Sequence, residues 1–361
     1  MINVGIIGTR GIPNSYGGFE RFVELLVLDP IWDGEVHFVV FGEENESDHS
    51  FNQNYTYIAL SRNKSSGIGY YFESVWKSLK SCDVILCCGV AISIAAFVPG
   101  IFGKKLVVNP DGCEWRRTKW SAIGRLLIKA MYFPALLFAN RIVIDAESLR
   151  DDFGKRFSTK SVFIPYQAIP PPEINVYSDQ EFLSAFGLSA SSDYVVVISR
   201  LEPENNIDMI CEAFKASGRT DLELIIVGNV DTKYFLAALR ATYFDLPNIH
   251  FVGGVYDQNL LNCLRQTATA YIHGHTVGGT NPSLLEALIA CEGLLLCHDN
   301  KYNREVAGDN ALYFADVAEL KECFKSLSID RLNSRNVWSD ARYDPKMIAM
   351  QYYKLFKSLS S

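Results

Sequence analysis

The fold is decided by the stretch His273-Gly-His-Thr-Val-Gly-Gly-Thr-Asn-Pro-Ser-Leu-Leu-Glu286, which joins two apolar segments of the chain. The segment before it, 268–272, is typical of a buried strand, and the segment after it, 283–291, is apolar almost all round. Asn281 followed by Pro282 is a helix-start signature, because asparagine can cap the first turn and proline lacks an N–H that would be unsatisfied there. The sequence therefore predicts a strand, a glycine loop and a helix.

The loop and the helix start have the chemistry of an anion site. Gly278 and Gly279 let the backbone approach a ligand closely. The N-terminus of a helix presents free N–H groups and a positive dipole end, which suits phosphate. Glu286 lies just over one turn inside the predicted helix, so its carboxylate needs a partner. That partner is either a ligand hydroxyl or a backbone amide, and these residues alone leave both interpretations open.

Length and composition describe a globular protein of two domains. The chain has 361 residues, of which 48% are hydrophobic and 21% charged, and its net charge of −7 argues against nucleic acid as the main partner. Its nine cysteines form no CxxC pair, which favours reduced, buried thiols in a cytosolic protein over disulfides or a zinc site. The longest apolar window, 126–139, is shorter than the roughly 20 residues that span a bilayer, so we predict no transmembrane segment.

The N-terminal half begins with a strand, a glycine-rich loop and a helix. Asn3–Gly8 reads as the strand and 19–28 as the helix, and the glycines between them do not have GxGxxG spacing, which gives no support to a dinucleotide fingerprint. Such a loop commonly lies at the carboxyl edge of an α/β sheet, where ligands bind. Further strands are predicted at 36–41, 55–59, 84–88, 105–108, 141–144 and 161–164.

The loop after the strand 105–108 contains Asp111-Gly112 and Glu114. Asp-Gly is a common turn pair, so a plain turn explains Asp111. Its position just past the carboxyl end of a strand also places it where a ligand cleft would be. Both interpretations remain open at this point.

A basic, tryptophan-containing segment follows in an otherwise acidic protein. Its residues are Trp115, Arg116, Arg117, Lys119 and Trp120, with Arg125 and Lys129 close behind and the apolar window 126–139 overlapping them. Basic residues interleaved with tryptophan beside an apolar stretch are typical of a surface that lies on an anionic membrane. The alternative is a solvated helix face with the tryptophans packed inside.

A second α/β series follows a proline-rich linker at 166–176. Its strands are predicted at 194–198, 222–227, 249–252, 268–272 and 293–297. Arg200 follows the first of these strands, where a cation could bind phosphate through two parallel hydrogen bonds. We therefore predict an N-terminal domain at 1–168, a C-terminal domain at 177–344 and a last helix, 345–361, that packs back onto the N-terminal domain.

The order of these motifs resembles family 4 glycosyltransferases of the GT-B fold over nearly the whole chain. The segments Gly8–Pro13 and Tyr16–Glu20, with Asn281–Glu286, are similar to those of a bacterial rhamnosyltransferase-like branch. The resemblance implies an α/β fold with two Rossmann-like, doubly wound domains facing across a cleft. It also implies a retaining transfer from a nucleotide-diphosphate sugar.

The resemblance implies roles for individual residues. Arg200 would bind the diphosphate and act in catalysis, Glu286 would hold the ribose hydroxyls, and Asp111 would act at the reacting centre. The remaining donor contacts would come from Gly11, Gly17, Gly18, Asn206, Gly228, His275, Gly278, Gly279, Thr280 and Asn281. The segment from Trp115 to Trp120 would face the membrane and acceptor.

Two positions depart from the usual family pattern. Gly278 stands where a second acid is usual, and Asn205 stands where a lysine is usual. The rhamnosyltransferase-like branch shares both changes, which favours L-rhamnose from dTDP-rhamnose as donor and a lipid-linked saccharide as acceptor, in surface polysaccharide or O-antigen synthesis at the inner face of the plasma membrane. We predict no cofactor and no metal, since the chain has no suitably placed DxD-like pair and Arg200 with a helix N-terminus can stabilise the leaving group.

Other functions remain open. The donor could be another hexose on UDP or GDP. A non-catalytic protein that binds a nucleotide sugar or a polysaccharide could keep the fold, because the second acid and the lysine are absent. A sugar-nucleotide epimerase of the same architecture is a further alternative, with little motif support.

Overall fold

The computed structural model describes residues 1–13, 18–43, 54–60, 68–170, 181–184, 186, 188–189, 192–229, 239, 241–327 and 338–360. The chain divides into two compact units. Unit 1 consists of Met1–Arg116, Trp120–Gln167 and Ala341–Ser361, and unit 2 of Arg117–Lys119 and Ala168–Asp340. Of the predicted linker, 171–176 lie outside the described residues.

Unit 1 is built on a parallel sheet. The strands of its described part are β1 (Ile2–Ile7), β2 (Val36–Gly42), β3 (Tyr55–Ala59), β4 (Val84–Cys88), β5 (Lys105–Asn109), β6 (Arg141–Ile144) and β7 (Ser161–Phe163). Their order across the sheet is β3-β2-β1-β4-β5-β6-β7, and every pair is parallel. The helices described before the second unit are α1 (Gly18–Val27), α2 (Ile68–Ser81), α3 (Val98–Ile101), α4 (Ala122–Phe138), α5 (Leu149–Phe153) and α6 (Lys155–Ser158).

Unit 2 repeats this plan with its own parallel sheet. Its described strands are β8 (Tyr194–Ile198), β9 (Glu223–Val227), β10 (Ile249–Gly253), β11 (Ala270–His273), β12 (Leu294–His298) and β13 (Leu312–Phe314). Their order is β10-β9-β8-β11-β12-β13, again all parallel. Its described helices are α7 (Glu181–Ser184), α8 (Ile207–Ser217), α9 (Gln258–Thr267), α10 (Pro282–Ala290), α11 (Lys301–Ala307) and α12 (Val317–Ser326).

The central strands are apolar on both faces because helices cover both faces of a doubly wound parallel sheet. All five residues of β4 are buried, for example. In each sheet the strand order reverses once, between β1 and β4 in unit 1 and between β8 and β11 in unit 2. Such a switch point leaves a crevice outside the carboxyl ends of the two strands, and ligands bind there in open α/β sheets.

The C-terminal helix α13 (Pro345–Ser360) belongs to unit 1. Its Tyr352 and Phe356 are fully buried. The Tyr352 ring lies 5.5 Å from Phe22 on α1, and the Phe356 ring lies 6.4 Å from Trp32. Aromatic packing therefore fixes the end of the chain against the start of the sheet.

The predicted fold class is confirmed: the chain forms two α/β units, each with a parallel sheet. The predicted strands are present, with ends that shift by at most two residues, as where the strand predicted to start at 268 starts at Ala270. β13 was not predicted, because a three-residue strand with Leu312 exposed has no apolar run to reveal it. No described helix combines the length and the apolar character needed to cross a membrane.

Candidate functional site

The candidate site of unit 2 lies at the switch point of its sheet. Arg200 follows β8, and the loop that begins at Gly274 follows β11, which is the neighbouring strand. The Arg200 side chain is 46% exposed, and its ion pair with Glu202 is long at 3.7 Å. An exposed guanidinium in a long ion pair can still bind an anion.

Polar contacts hold the backbone of the Arg200 loop. The Asn205 side chain is buried and its amide donates to the Arg200 carbonyl at 2.7 Å. Asn205 thus holds the backbone of this loop, at the position where the family pattern has a lysine. Gly228 has φ +159°, and a side chain there would collide with the carbonyl oxygen of Ser199. Gly228 therefore serves close packing of two loop backbones at the carboxyl edge, between the ends of β8 and β9.

The pKa values of two glutamates near Arg200 are shifted in opposite directions. Burial alone would raise the pKa of Glu202, but Arg200, Lys119 and Arg117 outweigh burial and lower it. Burial and the neighbouring charge of Glu202 raise the pKa of Glu204. The Glu204 backbone carbonyl accepts hydrogen bonds from both the N–H and the hydroxyl of Thr276, so this loop is joined to the one after β11.

Asn206 contributes to the same junction. It adopts a left-handed conformation with φ 55° immediately before α8, and its amide donates to the Gly274 carbonyl at 2.8 Å. A side chain at Gly274 would strike the backbone carbonyl of Asn205. In this structure Asn206 therefore holds the protein backbone, and a donor contact from it stays a prediction.

Two histidines stack at the start of the loop after β11. The rings of His273 and His275 lie 4.3 Å apart and are inclined by 13°. Burial, with a smaller contribution from His298, lowers the pKa of His273 to about 3. Burial, His273 and the cations Arg117 and Arg200 lower the pKa of His275 well below its usual value. Both imidazoles are therefore neutral at physiological pH, and His275 can offer a donor sugar a hydrogen bond but no charge.

The glycine loop ends at a capped helix. Gly278 has φ +152°, and there is open space where a side chain would stand. Gly279 and Thr280 are buried. Asn281 caps α10, since its side-chain oxygen accepts from the N–H of Ser283 at 3.0 Å, and Pro282 occupies the first helical position. The helix start predicted from the sequence is thus present, with its N-terminus at the carboxyl edge of the sheet.

Glu286 has a partner that the sequence did not reveal. Its carboxylate forms an ion pair with Arg265 of α9. The Arg265 side chain is 1% exposed, whereas that of Glu286 is 28% exposed. A second amino group of Arg265 donates to Asn262 at 3.1 Å. Arg265 therefore holds the Glu286 side chain in place, and part of that side chain remains exposed and able to contact a ligand.

The glycine loop of unit 1 also lies at a switch point. Gly8 abuts the Cys88 carbonyl at the end of β4, and Gly11 has φ +111° with the Tyr57 ring close by. The buried carboxylate of Glu20 accepts from the Arg10 N–H at 2.8 Å. Glu20 therefore holds this loop to α1. Gly18 is exposed at the start of α1, and Gly17 lies outside the described residues.

Asp111 lies in the loop that follows β5 in the same unit. It is partly buried, has a left-handed φ of 61°, and its N–H donates to the Asn109 side chain at 3.1 Å. Burial raises the pKa of Tyr166, and Asp111 and the buried Asp145, which follows β6, raise it further. Asp111 and Asp145 thus both lie at the carboxyl edge of this sheet, and no sequence motif indicated Asp145.

The basic segment after β5 is largely engaged in contacts. Trp115 packs inward, 4.4 Å from the Tyr132 ring, and Arg116 pairs with Asp152 at 2.6 Å. Arg117 is 13% exposed and pairs with Glu202 and Glu204, and Lys119 pairs with Glu202 at 3.4 Å. Trp120 is 40% exposed. Trp115 is therefore packed inside the unit, as the alternative to membrane contact predicted. The three cations of the segment are ion-paired.

Comparison with protein families identifies the second unit. The family described as "Glycosyl transferases group 1" matches residues 179–344. Those residues form a group 1 glycosyltransferase domain. The family described as "Domain of unknown function (DUF1972)" matches residues 1–168, upstream of the glycosyltransferase domain. No curated protein sequence matches the chain.

Solved structures show which fold accompanies the glycosyltransferase domain. Sucrose-phosphate synthase from Thermosynechococcus elongatus is 14% identical, with a TM-score of 0.77 over 99% of both chains. Anabaena HepE in complex with UDP-glucose is 16% identical, with a TM-score of 0.74 over 99% of this chain and 100% of that one. The α,α-trehalose-phosphate synthase of Burkholderia vietnamiensis is 10% identical, with a TM-score of 0.69 over the same shares. These likenesses establish the GT-B glycosyltransferase fold.

Proposed function

We propose that this chain transfers L-rhamnose from dTDP-rhamnose to a lipid-linked saccharide in the synthesis of a bacterial surface polysaccharide such as O-antigen. The observation that carries the proposal is the placement of Arg200 in the glycosyltransferase domain. Its half-exposed guanidinium follows β8, and the capped N-terminus of α10 follows the adjacent strand β11. A cation and a helix N-terminus at one switch point suit a nucleotide diphosphate.

The same two groups would stabilise the leaving group. When the bond between the sugar carbon C1 and the phosphate oxygen breaks, negative charge grows on the departing diphosphate. Arg200 offers a fixed positive charge to that oxygen, and the positive end of the α10 dipole adds to it. Asn205, at the position of the usual lysine, carries no charge, and its amide donates to the Arg200 carbonyl. Arg200 would therefore neutralise the diphosphate without the help of that lysine.

Glu286 would hold the ribose of the nucleotide. A carboxylate accepts hydrogen bonds from two adjacent hydroxyls, and the partial exposure of Glu286 allows this while Arg265 keeps it in place. Ribose changes little during transfer, so this contact would act on the ground state and the transition state alike. Glu286 should therefore influence donor binding more than turnover.

The identity of the sugar rests on two positions and on one sequence motif in each unit. Gly278 presents no carboxylate to the sugar, and His275 near Arg200 is neutral. A site without that acid favours a donor with fewer hydroxyls to recognise, such as a 6-deoxyhexose. The Gly8–Pro13 segment and Asn281–Glu286 resemble the rhamnosyltransferase-like branch. A hexose carried by UDP or GDP is the alternative, and the structurally similar Anabaena HepE binds UDP-glucose.

The reaction that we propose retains the configuration at C1 and uses no metal. The acceptor oxygen forms its bond to C1 on the face from which the diphosphate leaves, and the acceptor proton passes to the departing phosphate oxygen. Asp111, at the carboxyl edge of the sheet in unit 1, is the residue that we assign to the reacting centre. The acceptor would be presented at the cytoplasmic face of the membrane.

One experiment tests this function against a non-catalytic role. The purified chain is incubated with dTDP-rhamnose, UDP-sugars and GDP-sugars in turn, with and without a lipid-linked saccharide, and released nucleotide diphosphate is measured. We expect release from dTDP-rhamnose only when acceptor is present. Binding of nucleotide without release from any donor would support a binding protein, which the absent acid and lysine keep as a second candidate.

A further inference from the structure

Helix α4 turns an apolar face outward. Its residues Ile123, Leu126 and Leu127 are 73%, 68% and 61% exposed, and Phe133 and Phe138 are 47% exposed each. These positions recur at intervals of three, four and seven, so they line one side of the helix. The opposite side, with Tyr132, Ala135 and Leu136, is buried. A helix of a water-soluble surface normally has the reverse arrangement.

The apolar face extends beyond α4 onto neighbouring elements of unit 1. Trp76 of α2, Ile94 of the turn Ala91–Ala95, and Ile101 of α3 are exposed by 58%, 51% and 71%. Twelve of the nineteen large exposed hydrophobic residues in the described chain lie between 68 and 138. They are Phe72, Trp76, Ile94, Phe97, Ile101, Phe102, Trp120, Ile123, Leu126, Leu127, Phe133 and Phe138.

Direct contacts make these elements one surface. The Phe97 and Phe138 rings lie 6.1 Å apart, and the Trp76 and Phe102 rings 6.4 Å apart. The Ser93 hydroxyl donates to the Met131 carbonyl, which attaches the turn Ala91–Ala95 to α4. Exposed apolar surfaces of this extent mark interaction sites. We call this set of residues the apolar face.

The charged side chains of α4 are all basic, and two acids beside the apolar face, Glu73 and Glu114, are bonded to Lys77 and to the Trp120 indole N–H. No Asp or Glu occurs from 84 to 110 or from 115 to 144, although the whole chain has a net charge of −7. Arg125 and Lys129 are exposed on α4, and Lys105 and Lys80 are exposed on β5 and α2. An apolar stripe flanked by exposed cations matches an anionic lipid surface, where the stripe enters the headgroup region and the cations meet the lipid phosphates.

We propose that the apolar face docks this protein onto an anionic lipid bilayer, with α4 lying in the plane of the interface. The inference deepens the proposed function, since it locates the surface that brings the chain to a lipid-linked acceptor. It also assigns membrane contact to residues other than Arg116, Arg117 and Lys119, whose charges are paired with Asp152, Glu202 and Glu204.

Vesicle co-sedimentation of the full chain tests this surface without any sugar donor. The vesicles contain phosphatidylcholine alone, or phosphatidylcholine and phosphatidylglycerol in equal parts. We expect binding to the mixed vesicles, and a loss of roughly tenfold or more for the double variant Leu126→Gln, Leu127→Gln, because two apolar side chains no longer enter the lipid. Replacing Arg125 and Lys129 with Gln should weaken binding to the mixed vesicles by about fivefold for each cation removed.

A matched control removes two exposed apolar residues elsewhere. Leu312 and Met347 are 49% and 51% exposed and lie outside the apolar face, so Leu312→Gln with Met347→Gln should bind the mixed vesicles like the parent. Equal loss in the control and in the Leu126, Leu127 variant would overturn the proposal. A parent that does not bind the mixed vesicles would also overturn it. So would dimerisation through the apolar face, which sedimentation velocity would show as a dimeric parent and a monomeric Leu126, Leu127 variant.

The outcome is separable from that of the sugar-transfer assay. If the parent binds the mixed vesicles through the apolar face but releases no nucleotide diphosphate from any donor, the docking surface stands and the proposed function falls. If the parent releases nucleotide diphosphate from dTDP-rhamnose only with the lipid-linked saccharide present, but the Leu126, Leu127 variant binds the mixed vesicles as the parent does, the docking surface falls and the proposed function stands.

Discussion

Arg265 and Glu286 form an ion pair in which the arginine is buried and the glutamate is partly exposed. The ion pair with this buried arginine holds the Glu286 carboxylate in place, and the glutamate side chain stays partly exposed. The proposed ribose contact on α10 therefore depends on a buried cation of α9.

Glu286→Leu should lower the free energy of unfolding by about 3 kcal/mol or more, since it leaves the buried charge of Arg265 without its partner. Arg265→Met should cost less, because the carboxylate that it leaves unpaired, that of Glu286, is 28% exposed and can be hydrated. The double variant Arg265→Met, Glu286→Leu should recover most of the stability but not the affinity for nucleotide. Urea denaturation and calorimetric titration measure the two quantities, and a double variant that binds nucleotide like the parent would contradict the role of Glu286.

The C-terminal helix offers a prediction about unit 1. Phe356 is fully buried against Trp32 and Phe38, so Phe356→Ala should lower the free energy of unfolding by about 3–5 kcal/mol. Met347, on the same helix, is 51% exposed, and Met347→Ala should change stability by less than about 0.5 kcal/mol. Urea denaturation of both variants decides whether α13 stabilises unit 1, and equal effects would show that it does not.

The buried His273 predicts a pH dependence of stability. Its pKa is lowered to about 3 by burial, whereas in the unfolded chain it is about 6.5, so the unfolded state takes up a proton first as pH falls. Its contribution is complete above pH 6.5 and is lost below it. Lowering the pH from about 7.5 to about 5.5 should therefore cost about 1.4 kcal/mol through this residue.

His273→Phe isolates the contribution of His273 to the pH dependence of stability, because it keeps a ring against His275 and removes the titrating group. The free energy of unfolding of this variant should fall less between the two pH values than that of the parent. Denaturation curves at both pH values give the comparison. Parallel decreases in parent and variant would mean that His273 does not titrate differently in the two states.

The sequence predicted most of the fold because buried parallel strands leave continuous apolar runs, as Val84–Cys88 does, and because Asn281-Pro282 marks a helix start by local chemistry. It could not predict the partner of Glu286, since Arg265 lies on another helix. It did not indicate Asp145, which has no local motif. Charge spacing alone also favoured Arg116, Arg117 and Lys119 as membrane contacts, because their acidic partners are distant in sequence.

Metal dependence is a direct check on the proposed leaving-group chemistry. If Arg200 and the N-terminus of α10 carry the charge of the departing diphosphate, the transfer rate should not change in an excess of EDTA. The assay is acceptor-dependent release of nucleotide diphosphate with and without chelator. Loss of activity in EDTA that magnesium or manganese restores would contradict this assignment.

The central claim is that Arg200 stabilises the departing diphosphate, and steady-state kinetics on Arg200→Ala test it most directly. Removing one such stabiliser typically lowers turnover by about 10²–10³-fold, and Arg200→Lys should recover part of the loss because it restores the charge without the planar fork. Arg304→Ala is the matched control, since Arg304 is also an exposed, ion-paired arginine of unit 2. We predict a kcat reduced by at least about a hundredfold for Arg200→Ala and a parental kcat for Arg304→Ala. A folded Arg200→Ala variant that transfers sugar at the parental rate would contradict the account.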